Sequence, residues 1–163
     1  MTNALAGWSE FNVAMAGASA ALAGLVIVAA SVNIDKIIRA GTLTARLGAA
    51  IASLVLALVA SAVGLIPELD LTWYGIVVIV SALAAGAFQF HATRIIVSDP
   101  APQQRARFAK SVLGWLPVAA YVAAGVLLVL GGPSGLVLTA AGCLLAVIAA
   151  IVVSWVVLVE VLR

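Results

Sequence analysis

Few residues in this chain have the chemistry to act on anything. The sequence holds one histidine, His91, and one cysteine, Cys143, and charged side chains make up only 9% of 163 residues. His91 lies in the stretch FQFHATR. An imidazole at membrane depth can carry protons, and Gln89 beside it can hydrogen-bond a neighbouring helix. These two form the candidate proton or polar site. So close to Arg94, however, His91 reads more simply as an interfacial side chain. A metal centre needs several ligands together. No cluster of His, Cys and carboxylates is in sight, so neither a metal nor another cofactor is expected. Cys143 lies within an apolar run and has no second cysteine to pair with, so it reads as a buried, inert thiol. No motif for nucleophilic catalysis, phosphate binding or dinucleotide binding appears, and an enzyme is not expected.

The elements that must position these residues follow from composition. Hydrophobic residues make up 66% of the chain, against about 45–50% in ordinary soluble domains. A soluble fold of this size cannot hide so much apolar surface. The bilayer is then the solvent, and backbone groups must be satisfied within helices or a closed barrel. The apolar runs are continuous and not alternating, which selects helices. The expected fold is all-α, a polytopic transmembrane helical bundle forming a single integral membrane domain over residues 1–163. The N-terminal MTNALAGWSEF carries no basic residue, so a cleaved secretory signal is not expected.

Charges mark the spans, because a central Arg, Lys or Asp costs about 2.5–3.5 kcal/mol on insertion scales. Glu10 and Asp35 bracket a first span near residues 11–34. Arg46 and Glu68 bracket a second near 47–66, and Asp70 and Arg94 a third near 72–93. From Ser111 to Val159 no charge occurs at all. That run is more than twice the ~20 residues a bilayer needs, so it divides at the turn signal GGPSG. The halves give spans near 111–130 and 136–159. Five spans put all eight basic residues on one side: Lys36, Arg39, Arg46, Arg94, Arg105, Arg107, Lys110 and Arg163. Glu10, Glu68 and Asp70 fall on the other. The positive-inside rule then sets the N-terminus outside and the C-terminus in the cytoplasm of a bacterial plasma membrane. Trp8 and Trp73, with Tyr74 beside it, fall at the outer interface, and Trp115 and Trp155 toward the inner one. The net charge of +2 is therefore a topology signal and not a nucleic-acid footprint. Arg105, Arg107 and Lys110 can also attract anionic headgroups of the bilayer.

Helices in lipid associate through close van der Waals contact, so small residues mark the seams. On the first span Glu10, Gly17, Gly24 and Ser31 recur at heptad spacing, with Asn12 and Ser19 on an adjacent strip. This pattern predicts a central helix packed on several sides. Ala50, Ser53, Ala57 and Gly64 form a second small-residue seam, and Thr139, Gly142, Ala146 and Ala149 a third. Pro117 inside the fourth span removes one backbone hydrogen bond.

Trp8-Ser9-Glu10-Phe11 and the later run AGASAALAGLVIVAASVNI resemble the first helix of a group of short actinobacterial multi-span membrane proteins of unsettled function. Some of that group are labelled modulators of the FtsH membrane protease. The likeness lies in Ala/Gly patterning and transfers no functional residues.

Two function classes follow. The first is a homo-oligomer forming a small ion or solute pore, a channel lined by the first span through Glu10, Asn12, Ser19 and Ser31. The second is a non-conducting accessory or scaffold subunit that binds another membrane protein, such as a membrane protease or transport complex, through its small-residue seams. A proton-coupled carrier using His91 is a third and weaker reading.

Overall fold

A computed structural model describes residues 4–39, 41–98 and 104–162. The described residues form six α-helices: α1 (Ser9–Val32), α2 (Ile34–Arg39), α3 (Gly41–Val63), α4 (Leu71–Ser98), α5 (Gln104–Val129) and α6 (Ser134–Leu162). A short 3-10 turn, Ala6–Trp8, precedes α1. Among the described residues there is no strand. Four stretches are helical, long and apolar enough to cross a membrane: Ala6–Val32, Thr42–Val63, Leu71–Ile95 and Ser134–Val157. The apolar part of α5, Leu113–Val129, is shorter.

Charge marks where apolar sequence stops, but the helices do not stop there. α3 begins at Gly41, ahead of Arg46, and α4 runs past Arg94 to Ser98. Between α1 and α3, the basic segment is not an open loop but the short helix α2, which joins α3 at a corner where Thr44 donates to the Ile37 carbonyl (2.9 Å). Lys and Arg are good helix formers, so a charge changes the solvent a helix prefers without breaking it.

The chain breaks where backbone chemistry demands it. α5 ends in a Schellman motif. Gly131 takes φ +80°, its N–H donates to the Leu128 carbonyl (3.0 Å), and the Gly132 N–H donates to the Leu127 carbonyl (2.8 Å). Glycine reaches this left-handed conformation without a Cβ penalty, and Pro133 cannot continue the helix. Between α3 and α4, Glu68 adopts φ 56° in the turn. Asp70 then caps α4 by accepting a hydrogen bond from the Thr72 N–H (2.9 Å). That N–H holds the Asp70 carboxyl below its ordinary range.

α3, α4, α5 and α6 close into an antiparallel four-helix bundle, each packing on the next and α6 returning to α3. Antiparallel order follows from the pairs that meet: Ala60 with Tyr74, Gly75 with Gly125, Gln89 with Gly114, Tyr121 with Cys143, and Cys143 with Ser61. Heptad spacing runs through the seams. On α4 the buried line is Gly75, Val78, Ala82, Ala85, Gln89 and Ala92. This repeat favours left-handed crossings of about +20°. α4 and α5 approach each other closely. A Cβ placed on Gly125 would lie 2.5 Å from Ile79 Cγ1 and 2.9 Å from the Gly75 carbonyl oxygen.

α1 lies outside this ring. It packs along α3 and touches α6 only slightly. Its buried residues are Asn12, Met15, Ser19 and Val26. The expectation of a central first helix is therefore not met within the protomer. α1 carries two interleaved heptad lines, and α3 covers the one that starts at Asn12. The line of Glu10, Gly17, Gly24 and Ser31 stays uncovered.

Candidate functional site

The bundle interior is filled. Tyr74, Tyr121, Leu54, Leu56, Leu128 and Val78 are among its largest fully buried side chains. In hydrocarbon a hydroxyl without a partner is costly, and these find partners. Tyr74 donates to the Ala60 carbonyl (3.1 Å), which also accepts from the Gly64 N–H (3.1 Å). Tyr121 donates to Cys143 Sγ (2.9 Å), which lies 3.5 Å from Ser61 Oγ. Thr139 turns back to the Gly135 carbonyl (2.9 Å). Gly142 makes room for the Tyr121 ring, since a Cβ there would meet Cδ2 at 3.1 Å. Tyr74 departs from its expected place in the outer aromatic belt. Trp73 stays exposed, and its neighbour turns inward by one helical step. The Tyr121–Cys143–Ser61 group went unseen in the sequence because its members lie far apart along the chain. Heptad alignment of α5 with α6 was the one signal that could have brought them together.

A small cavity of about 30 Å³ lies between α3, α4, α5 and α6 toward the basic end, among Arg46, Ser53, Gln89, Ala92, Gly114 and Ala149. It has room for water and for little more. Ser53 is occupied with its own helix, donating to the Ala49 carbonyl (3.1 Å). Gln89 is buried, and its amide lies over Gly114, where a Cβ would collide with it. His91 is exposed on another face of α4. The structure therefore separates the two members of the candidate polar site. No group of three or more His, Cys, Asp or Glu that could hold a metal occurs among the described residues.

Both ends of the bundle carry tryptophan. Trp8 meets Phe11 edge-on (5.9 Å, 87°) at one end. At the other, Trp115 donates to Thr93 Oγ1 (3.2 Å) and Trp155 is exposed. The Arg94 guanidinium lies 5.0 Å above the Phe90 ring. The side chains of Arg105, Arg107 and Lys110, expected to contact anionic lipid, lie outside the described residues.

The four candidate pore-lining residues divide into two pairs. Asn12 and Ser19 are buried on the α1–α3 face. The Asn12 amide occupies the space that a Cβ on Gly64 would need (2.6 Å), so Gly64, just past the end of α3, is the glycine that lets α1 dock. Ser19 Oγ is fully buried and makes no hydrogen bond. Glu10 and Ser31 instead face outward. Ser31 returns its hydroxyl to the Ile27 carbonyl (2.8 Å), which keeps a polar group tolerable in an apolar setting. The candidate packing residues divide in the same way. Ala50, Ser53 and Ala57 are buried in α3, and Gly64 is buried just past its end. A Cβ at Gly17 or Gly24 would meet nothing within 4 Å. Comparison with protein-family models, with curated proteins and with solved structures found no match.

Proposed function

We propose a homo-oligomeric, five-span integral protein of the plasma membrane whose copies meet along the uncovered line of α1. The observation that carries this reading is the open space at Gly17 and Gly24 on a helix otherwise built of small residues. Small residues let two backbones approach, and in lipid that approach is the main source of association. α5 counts as the fifth span because it packs antiparallel between α4 and α6 and shares their depth. Lys36, Arg39, Arg46 and Arg94 fall at one end of the bundle, with Glu10, Glu68 and Asp70 at the other. The basic end is cytoplasmic on that pattern.

A small pore fits this assembly better at its axis than inside a protomer, whose interior is packed with large side chains. Copies arranged with α1 innermost bring Glu10 to the outer mouth as a ring of carboxylates and Ser31 to the inner end. Asn12 and Ser19 stay with α3 and serve packing.

Cysteine crosslinking in native membranes tests the assembly. Gly17→Cys and Gly24→Cys should give disulfide-linked dimers, while Val137→Cys on the exposed side of α6 should not. Equal crosslinking at all three positions, or none at the α1 positions, overturns self-association through α1. Crosslinks from Gly17→Cys to a different protein would support the accessory-subunit reading instead. Cation flux into liposomes, lost or altered in selectivity by Glu10→Gln, tests the pore. Absence of flux from a crosslinkable oligomer removes the pore and leaves the assembly.

A further inference from the structure

Three polar side chains share the lining of the small cavity of about 30 Å³ among the bundle helices: Arg46 and Ser53 from α3, and Gln89 from α4. Ala50, Ala92, Gly114 and Ala149 keep it open because their side chains are short or absent. Gln89 is only 6% exposed. Thr93 donates to its backbone carbonyl (2.8 Å), but among the described residues no hydrogen bond reaches its side-chain amide. A buried amide without a partner is costly, and the space that this one adjoins is the cavity.

The donors and acceptors on the lining decide what fits. A guanidinium carries several N–H donors, so Arg46 can serve a partner in the chain and a bound molecule together. The Gln89 amide offers N–H donors and an acceptor oxygen. Ser53 donates to the Ala49 carbonyl (3.1 Å), which leaves its own oxygen able to accept. A metal cation would face the guanidinium charge. An anion would be served by the N–H groups but opposed by the amide and hydroxyl oxygens. Water both donates and accepts, and a buried water makes about three hydrogen bonds. One water needs roughly 10–15 Å³, so a volume of about 30 Å³ suits one or two. At ~1.5 Å per residue, Ser53 lies ~10 Å inward of Arg46 along α3, and Gln89 ~8 Å inward of Arg94 along α4. Half of the hydrocarbon core is ~15 Å thick, so the polar lining stops short of the midplane.

We infer that this cavity is a hydration site, in which one or two waters admitted from the basic end join the Gln89 amide to Arg46 and Ser53 and so link α4 to α3. The site lies within one protomer and does not depend on copies meeting along α1. The test uses the full chain, isotope-labelled at glutamine and alanine and reconstituted in lipid bilayers. Solid-state nuclear magnetic resonance then reads magnetisation transfer from water. The Gln89 amide, identified by its loss in Gln89→Leu, should receive magnetisation, as should the methyl groups of Ala92 and Ala149. Ala82 and Ala124 are fully buried and do not line the cavity, so their methyl groups should receive none. Ala149→Leu fills the cavity and should abolish the transfer to Gln89. Transfer to Gln89 in the native chain no faster than to Ala82 overturns the inference. Undiminished transfer in a folded Ala149→Leu variant also overturns it. If that variant does not fold by circular dichroism, the contrast between Gln89 and Ala82 in the native chain decides. Exchange of sodium gluconate for sodium bromide separates water from an anion. A Gln89 amide shift that saturates with bromide overturns the hydration site in favour of an anion, and an unmoved amide supports it.

Discussion

Adding one methyl group at Gly125 should destabilise the bundle, while the same addition at Gly17 should not. The difference can be worked from the contacts. The new Cβ at Gly125 would meet Ile79 Cγ1 at 2.5 Å and the Gly75 carbonyl oxygen at 2.9 Å. Ordinary carbon contact is ~3.5–4.0 Å, so Ile79 must retreat by about 1 Å. Its side chain can rotate, but the Gly75 carbonyl belongs to α4's backbone and can move only with the helix. Overpacking of this kind costs ~1–3 kcal/mol. Alanine in place of glycine in a helix returns ~0.5–1 kcal/mol. Net destabilisation centred on about 1 kcal/mol remains, within about 0–2.5 kcal/mol, and about 1 kcal/mol is roughly a factor of 5 in the folded-to-unfolded ratio. At Gly17 nothing lies within 4 Å, so only the helix-propensity gain of ~0.5–1 kcal/mol acts. Unfolding of each variant in mixed micelles by increasing dodecyl sulfate, followed by far-ultraviolet circular dichroism, measures both. A Gly125→Ala variant as stable as the native chain would refute the close α4–α5 crossing. A destabilised Gly17→Ala monomer would refute the open face of α1.

Two smaller perturbations probe the interior and the cap. Tyr121→Phe removes the donor to Cys143 but keeps the ring against Gly142, and should cost about 0.5–1.5 kcal/mol in the same titration; a neutral result would mean the 2.9 Å contact contributes nothing. The Asp70 carboxyl is held below its ordinary range by the Thr72 N–H. The stability it contributes is thus fully present above the unfolded-state pKa and is lost as pH falls through the lower folded-state value. Melting of the native chain in detergent should decline across that acidic window, and Asp70→Ala should flatten this part of the decline. Identical acid profiles would remove the cap from the account.

How much of this was legible in advance differs from element to element. Helical class followed from composition, because continuous apolar runs admit few alternatives in a bilayer. Helix ends did not follow from charge. Arg46 and Arg94 lie inside α3 and α4, since a basic side chain marks an interface without ending hydrogen bonding along the helix. The Gly131 break was readable because only a Gly-Gly-Pro sequence combines a left-handed residue with a following stop. Seams were half readable. Heptad spacing located the seam of Ala50, Ala57 and Gly64 along α3 and its end, yet on α1 the same spacing fits two faces. Composition could not choose between them, because the choice depends on the shape of α3. The Asn12 amide seated on Gly64 makes that choice, and it is a contact between residues far apart in sequence. Tyr74 shows the same limit at the scale of one residue. Neighbouring positions on a helix point about 100° apart, so Trp73 and Tyr74 cannot share one environment.

The docking of α1 on α3 has a consequence for biogenesis. During synthesis α1 is made before Gly64. Asn12 and Ser19 then lie in lipid without the surface that later shields them. α1 is thus a helix in waiting, and its hold on the bundle depends on one neighbour arriving.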